Sequence, residues 1–263
     1  MQMPGYRPCD VTYHIECLRR EGELLASAAT QAGLGAAVPA CPGWAVRDLL
    51  KHTGFVHRWA AGYVAEQRTD RVETPDEGEL LTLGPSDDGL VDWYRAGHAG
   101  LVRALADADR GVTCWTFMPA ASPLAFWARR QSHETTIHRV DVQQAAASGH
   151  EPVPPRLAAD GIDELLTGFL PRAARRRSWQ PAPGTLGVHA ADGPASTAHW
   201  LIAMSPGHAE VTRGTGPADC DITGSAADLY LLLWNRRDPA GLDLRGDPSH
   251  LTTLDDQLRI RWS

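Results

Sequence analysis

At 263 residues, the chain has room for one large domain or two modest ones, at about 100–200 residues per domain. Its 43% hydrophobic content supports a buried core and excludes a disordered or low-complexity chain. The net charge of −7, from 25 basic and 32 acidic residues, argues against a nucleic-acid partner, which would need a basic face.

The longest apolar run, Leu229–Trp234, falls far short of the ~20 residues of a membrane span. Met1–Asp10 shows no basic stretch leading into an apolar one, so no secretory signal is expected there. A cytoplasmic protein with no membrane partner is the expectation. Five scattered cysteines (Cys9, Cys17, Cys41, Cys114 and Cys220) form no CxxC pair and are expected as free thiols. Lys51 is the single lysine among the 25 basic residues, and with the abundance of Ala, Gly and Pro this suggests GC-rich coding and an actinobacterial host.

Four segments in the first 150 residues carry helical periodicity. The first sets Ile15, Leu18, Gly22, Leu25 and Ala29 on one face. The second opens after Pro42-Gly43 and carries Leu49, His52, Val56, Trp59 and Tyr63. The third follows Gly84-Pro85-Ser86 with Leu90, Tyr94, Gly97, Leu101 and Leu105. The fourth starts at Ser122-Pro123, a cap followed by a first-turn proline. Its stripe reads Leu124, Trp127, Gln131, Glu134, His138, Asp141 and Ala145. Four such helices predict a bundle over residues 1–150.

Gly149–Pro155 reads as a linker, because closely spaced prolines cannot continue a helix. Beyond it a helix over about 156–177 ends in Arg175-Arg176-Arg177. Short β-rich segments follow at Thr185–His189, His199–Met204, Ala209–Thr212 and Asp219–Thr223. Gly224-Ser225 opens an apolar helix, and Leu242–Arg245 and a helix from about 248 close a small α/β domain over 156–263.

The chemistry-bearing residues fall on the second and fourth helices. Glu134 and His138 are four apart and project from one face. His52 interrupts a stripe that is otherwise apolar or aromatic. Burying a carboxylate without a partner costs several kcal/mol, and a divalent metal held by His52, Glu134 and His138 would satisfy all three. Two histidines and one carboxylate leave a coordination position open, the pattern of a catalytic zinc site.

The residues alone leave other readings open. A lone core-facing histidine such as His52 is more often a hydrogen-bonded core residue than a ligand, and Glu134 with His138 also reads as a solvated i, i+4 pair. His133 and His138 are five apart, which excludes the H-E-x-x-H protease pattern. Asp48 reads either as an acceptor for the His52 imidazole or as a first-turn acid. Trp44, Trp59 and Trp127 are read as bundle core, with a place lining the pocket as the alternative.

Cys41-Pro42-Gly43-Trp44, followed by Val46-Arg47-Asp48-Leu49-Leu50 and His52, resembles the opening motif of the mycothiol-dependent maleylpyruvate isomerase family. So do His133-Glu134, His138-Arg139, Asp141, Ala145–Ala147 and Gly149. In the C-terminal half Gly224-Ser225-Ala226, Asp228-Leu229, Leu233-Trp234-Asn235-Arg236 and Gly246-Asp247-Pro248 are similar to the family's signatures. The resemblance implies a DinB-like four-helix bundle followed by a sterol-carrier-like α/β domain. It implies a metal, usually zinc, on His52, Glu134 and His138, and mycothiol as the thiol. Arg236 stands at the family's C-terminal arginine, where it would bind an anionic acceptor or enolate. Val140 replaces the family's usual Trp, and Asn235 its usual Gly.

The expected activity is a metal- and mycothiol-dependent isomerase or S-transferase on a small electrophile such as maleylpyruvate, working as a monomer or homodimer. A thiol-independent metal hydrolase and a non-catalytic small-molecule or lipid-binding protein are the alternatives.

Overall fold

The computed structural model describes residues 8–82, 84–146, 149–192 and 198–259, with Glu77 described by its backbone alone. Ala147 and the stretch 1–7 read above lie outside the described residues. The chain divides into two compact units, Asp10–Glu151 and Pro152–Arg261, and the described residues before Asp10 group with the second.

The N-terminal unit holds α1 (Val11–Ala32), α2 (Val46–Ala65), α3 (Glu77–Thr82), α4 (Asp87–Asp107) and α5 (Pro123–Ala145). The four long helices are the bundle expected from periodicity and the DinB-like fold that the resemblance implies, with α1 packed chiefly on α5 and α2 on α4. Their starts are set chemically. Asp10 accepts from Tyr13 N at 2.9 Å to open α1, and Ser122 accepts from Ala125 N at 3.1 Å to open α5 behind Pro123. One apolar cluster joins Leu25, Leu49, Leu50, Leu90, Tyr94 and Val142. Each such side chain contributes about 1.5–3 kcal/mol on burial. The short α3 has no counterpart in the periodicity.

Helix α5 is unusual because its burial is not confined to one stripe. Gln131, Ser132, His133, Thr135, Thr136, Arg139 and Asp141 are all buried. Arg139 is held by Glu21 Oε2 at 2.8 Å, Gln143 Oε1 at 2.7 Å and the Glu151 carbonyl at 2.5 Å. Glu21 accepts on its other oxygen from Arg20. A buried arginine needs such partners, since an unpaired buried charge costs several kcal/mol.

The C-terminal unit begins with α6 (Pro155–Glu164), one π turn (Leu165–Phe169) and α7 (Leu170–Ala173). The helix expected to run to 177 therefore ends earlier and is interrupted. Pro171 has no N–H to donate to the Thr167 carbonyl and crowds it, which breaks the regular ladder there. Arg175, Arg176 and Arg177 lie beyond the helix and are exposed.

Five strands follow: β1 (Gly184–Ala190), β2 (His199–Ser205), β3 (His208–Arg213), β4 (Cys220–Gly224) and β5 (Asp243–Gly246). They form a mixed sheet in the order β3-β2-β1-β4-β5, with β1 and β4 parallel and the other pairs antiparallel. Helix α8 (Ala226–Leu233), capped by Ser225, packs on β1 and α6, and α9 (Ser249–Gln257) also touches β1. Leu186, Val188, Trp200, Ile202 and Ile222 face the buried side. Asp163 on α6 is buried there and accepts from Trp200 Nε1 at 3.0 Å and from Arg213 Nε at 2.6 Å. No helix among the described residues is long and apolar enough to cross a membrane.

Candidate metal centre

The loop before α2 is shaped by its sequence. Trp44 N bonds to the Cys41 carbonyl at 3.0 Å, closing a four-residue turn with Pro42 and Gly43 at its centre. Gly43 has φ 89°, the left-handed value that a type II turn demands after proline. Val38 N then bonds to the Trp44 carbonyl, tying the loop down. Asp48 accepts from Ala45 N at 2.9 Å, so it caps the start of α2 and takes the first-turn reading.

Nearly two turns into α2, His52 is buried and its Nε2 stands 3.3 Å from Glu134 Oε1 on α5. His138 Nε2 stands 3.2 Å from the same oxygen. The ligand atoms of His52, Glu134 and His138 lie within 4.8 Å of one another. The two imidazoles meet edge-on with ring centres 5.2 Å apart. The three residues singled out from sequence are thus brought together.

Two further side chains fix the orientation of these groups. Asp141 is fully buried and takes His138 Nδ1 at 3.0 Å, so Nε2 is the nitrogen turned to the centre. Arg130, one turn before Glu134, donates to Oε2 at 3.1 Å and leaves Oε1 facing the histidines. Asp141 sits three residues after His138 and Arg130 four before Glu134, spacings that place them on the same helix face. Neither role was read from the sequence, although both spacings were visible. The Trp44 ring lies 5.3 Å from that of His52, so this tryptophan belongs beside the centre. Trp59 and Trp127 instead pack together and with Tyr63 in an aromatic core. His133 is buried against His14, remote in role from the triad.

The electrostatics favour positive charge at this point. Burial pushes the Glu134 carboxyl up, but hydrogen bonds from His138 and His52 outweigh it and hold the group well below the usual carboxylate range. Burial lowers His138, yet the hydrogen bonds to Asp141 and Glu134 prevail and raise it to about 9. Two imidazole nitrogens and one carboxylate oxygen converging here fit a divalent ion of the zinc class, and Asp141 supplies the carboxylate support usual behind a ligating histidine.

Arg236 lies in the C-terminal unit. Helix α8 ends in a Schellman turn: Arg236 N bonds to the Leu231 carbonyl at 2.7 Å and Asn235 N to that of Leu232 at 2.9 Å. Asn235 adopts φ 60°. This left-handed conformation explains why an asparagine can stand where the family usually has glycine. Arg236 Nη1 donates to the Trp234 carbonyl at 2.7 Å. The neighbouring Arg237 pairs with Asp228 and donates to the Ala240 carbonyl, so it closes the helix end. Val140 is fully buried in the bundle.

A DinB-like bundle carrying a carboxylate–dihistidine centre, followed by a small mixed-sheet unit, defines the class. Residues 15–143 match the mycothiol maleylpyruvate isomerase N-terminal domain model, and residues 156–253 match the MDMPI C-terminal domain model. The chain belongs to the mycothiol-dependent maleylpyruvate isomerase family, a family of enzymes. Among solved structures, the crystal structure of the mycothiol-dependent maleylpyruvate isomerase is similar at 15% identity and a TM-score of 0.60, covering 92% of this chain and 95% of that one. A mutant of that isomerase is similar at 14% identity and a TM-score of 0.61, with the same coverage. No curated protein sequence matches the chain.

Proposed function

We propose that this chain is a mycothiol-dependent isomerase or S-transferase, acting on a small electrophile that carries a carboxylate, such as maleylpyruvate. The convergence of His52 Nε2, Glu134 Oε1 and His138 Nε2 carries the proposal. In this reading the three residues hold a divalent ion, most simply zinc. When bound, such an ion supplies positive charge that favours thiolate over thiol at neutral pH.

The protein's own residues prepare that point. Asp141 holds the proton on His138 Nδ1, which keeps a lone pair on Nε2. Arg130 occupies Glu134 Oε2 and presents Oε1 alone. The Trp44 ring packs at a tilt beside that of His52, with ring centres 5.3 Å apart. Arg236 is assigned to the acceptor's carboxylate, which its planar fork can grip through two parallel hydrogen bonds.

For a cis-enedione acid, the thiolate adds to a carbon of the double bond. Rotation about the resulting single bond follows, and elimination returns the thiolate and leaves the trans isomer. With other electrophiles the sulfur stays on the product, the adduct's enolate taking a proton or a leaving group departing with the bonding pair, and the reaction is an S-transfer. The reading includes a cytoplasmic actinobacterial setting and a monomer or homodimer, with no nucleic-acid or membrane partner. Turnover of maleylpyruvate with and without mycothiol tests it. Equal rates in the two conditions would favour a hydrolase that uses no thiol.

A further inference from the structure

The C-terminal unit carries a histidine pair that the bundle centre does not use. His189 on β1 and His199 on β2 are direct cross-strand partners in the antiparallel register. Their ring centres are 5.3 Å apart, and Nδ1 faces Nδ1 at 3.3 Å. On the other side of His189, Nε2 lies 2.7 Å from Asp221 Oδ1 on β4. Asp221 is in register with Gly187, two residues before His189, so all three groups share one face of the sheet. That face is opposite the one carrying Leu186, Val188 and Ile222. The side chains of His189 and Asp221 are 18% and 39% exposed, so solutes reach them.

The geometry is built rather than incidental. A Cβ at Gly187 would fall on Asp221 Oδ1 and His189 Nε2, so the missing side chain is what lets the carboxylate and the imidazole meet across β1. A carboxylate at Nε2 holds the proton there and leaves the Nδ1 lone pair free to coordinate. The 3.3 Å between the two Nδ1 atoms is long for a hydrogen bond, whose N–H donors usually lie about 2.7–3.2 Å from the acceptor. It matches two nitrogens on one tetrahedral ion, which at about 2.0–2.1 Å from zinc stand roughly 3.3–3.4 Å apart.

We infer that His189 and His199 form a divalent transition-metal site through their Nδ1 atoms, with Asp221 orienting His189 and water completing the coordination. Imidazole ligands suit Zn(II), Ni(II) or Cu(II) rather than Mg(II) or Ca(II). The site shares no residue with the bundle centre and does not depend on the function proposed for it.

The test is a ZnCl2 titration of the chelator-stripped full-length chain, followed by long-range 1H–15N spectra of the histidine rings. The Nδ1 resonances of His189 and His199 should move together and saturate. His199→Ala should abolish the movement at His189. Asp221→Asn should weaken zinc at this pair by roughly 10–100-fold, the usual effect of losing a carboxylate behind a ligating histidine. Zinc-induced changes confined to His52 and His138 would overturn the inference, as would an Asp221→Asn chain with unaltered affinity at the pair. The wild-type spectra decide the matter even if a variant fails to fold.

Discussion

His138 Nδ1 lies 3.0 Å from Asp141 Oδ2, one turn further along the same helix, while Nε2 of the same ring faces Glu134. The buried carboxylate therefore decides which nitrogen is presented to the centre. Asp141→Asn keeps the size of the side chain but can present its amide nitrogen to the ring. We expect zinc affinity to fall roughly 10–100-fold, the scale of such supporting interactions. Competition against a chromophoric chelator measures it, and an affinity equal to wild type would show that Asp141 does not orient the ligand.

The ligand set itself is tested by elemental composition. Purified protein should carry stoichiometric divalent metal, and His138→Ala should lose it with little change in helical content. Dialysis against a strong chelator should remove both metal and turnover, and adding zinc back should restore them. A His138→Ala chain that retains its full metal complement would end the assignment of these three ligands.

The parts of this molecule that sequence made legible are those governed by local rules. Caps such as Asp10, Ser122 and Ser225 and the stripe of Leu49, His52 and Val56 depend on spacing alone, and the bundle followed from them. So did the strands, where Leu186 and Val188 alternate with partners on the other face. The triad was legible because Glu134 and His138 are four apart and His52 is polar in an apolar stripe. Arg139 was not, because its partner Glu21 is 118 positions away, and pairing across the bundle leaves no periodic trace. The break before Pro171 was missed because a strong apolar pattern continues through Leu165, Leu166 and Leu170, although the proline itself gave the signal. Asn235 read as a departure from the family until its positive φ showed why the substitution is tolerated.

Helices α1 and α4 approach closely at Gly22. His98 fills the notch left by the missing side chain and donates from Nε2 to the Leu18 carbonyl at 2.9 Å. A Cβ at Gly22 would overlap the His98 ring at Nε2, Cδ2 and Cε1. Gly22→Ala gains helix propensity, but the forced displacement should dominate, for a net loss of about 1–3 kcal/mol in unfolding free energy. Urea denaturation followed by circular dichroism measures this, and a stabilised variant would show that the notch relaxes freely.

Burial lowers His57 and His98 below the ordinary imidazole value of 6.5, His57 by far the more, and the His98 ring, 5.5 Å from that of His57, pushes His57 down further. Both rings are therefore neutral in the folded bundle. Unfolding frees them to take protons near pH 6.5. Their contribution to stability is present above that pH and is lost as the pH falls below it, because the unfolded state then binds more protons. Melting temperature should drop steeply between about pH 7 and pH 5. His98→Asn keeps a donor for the Leu18 carbonyl but cannot be protonated, so its melting temperature should fall less over the same range. Equal slopes for the variant and the wild type would remove His98 from this account.

In the proposed reaction a three-residue ligand set would leave a coordination position for an external thiol, and Arg236 would answer the negative charge of a carboxylate or enolate on the acceptor. Turnover should therefore require a low-molecular-weight thiol in an otherwise thiol-free assay. Arg236→Lys keeps the charge but loses the fork, and it should cost about 1.5–3 kcal/mol in transition-state stabilisation, read from kcat/KM. Metal content should be unchanged, since His52, Glu134 and His138 all lie in the other unit. Rates that do not depend on thiol would remove the thiol mechanism. Loss of metal or of folding in Arg236→Lys would make the arginine a structural residue. A thiol-dependent enzyme indifferent to Arg236→Lys would shift the acceptor's counter-charge to another cation, with Arg130 beside Glu134 the first to replace.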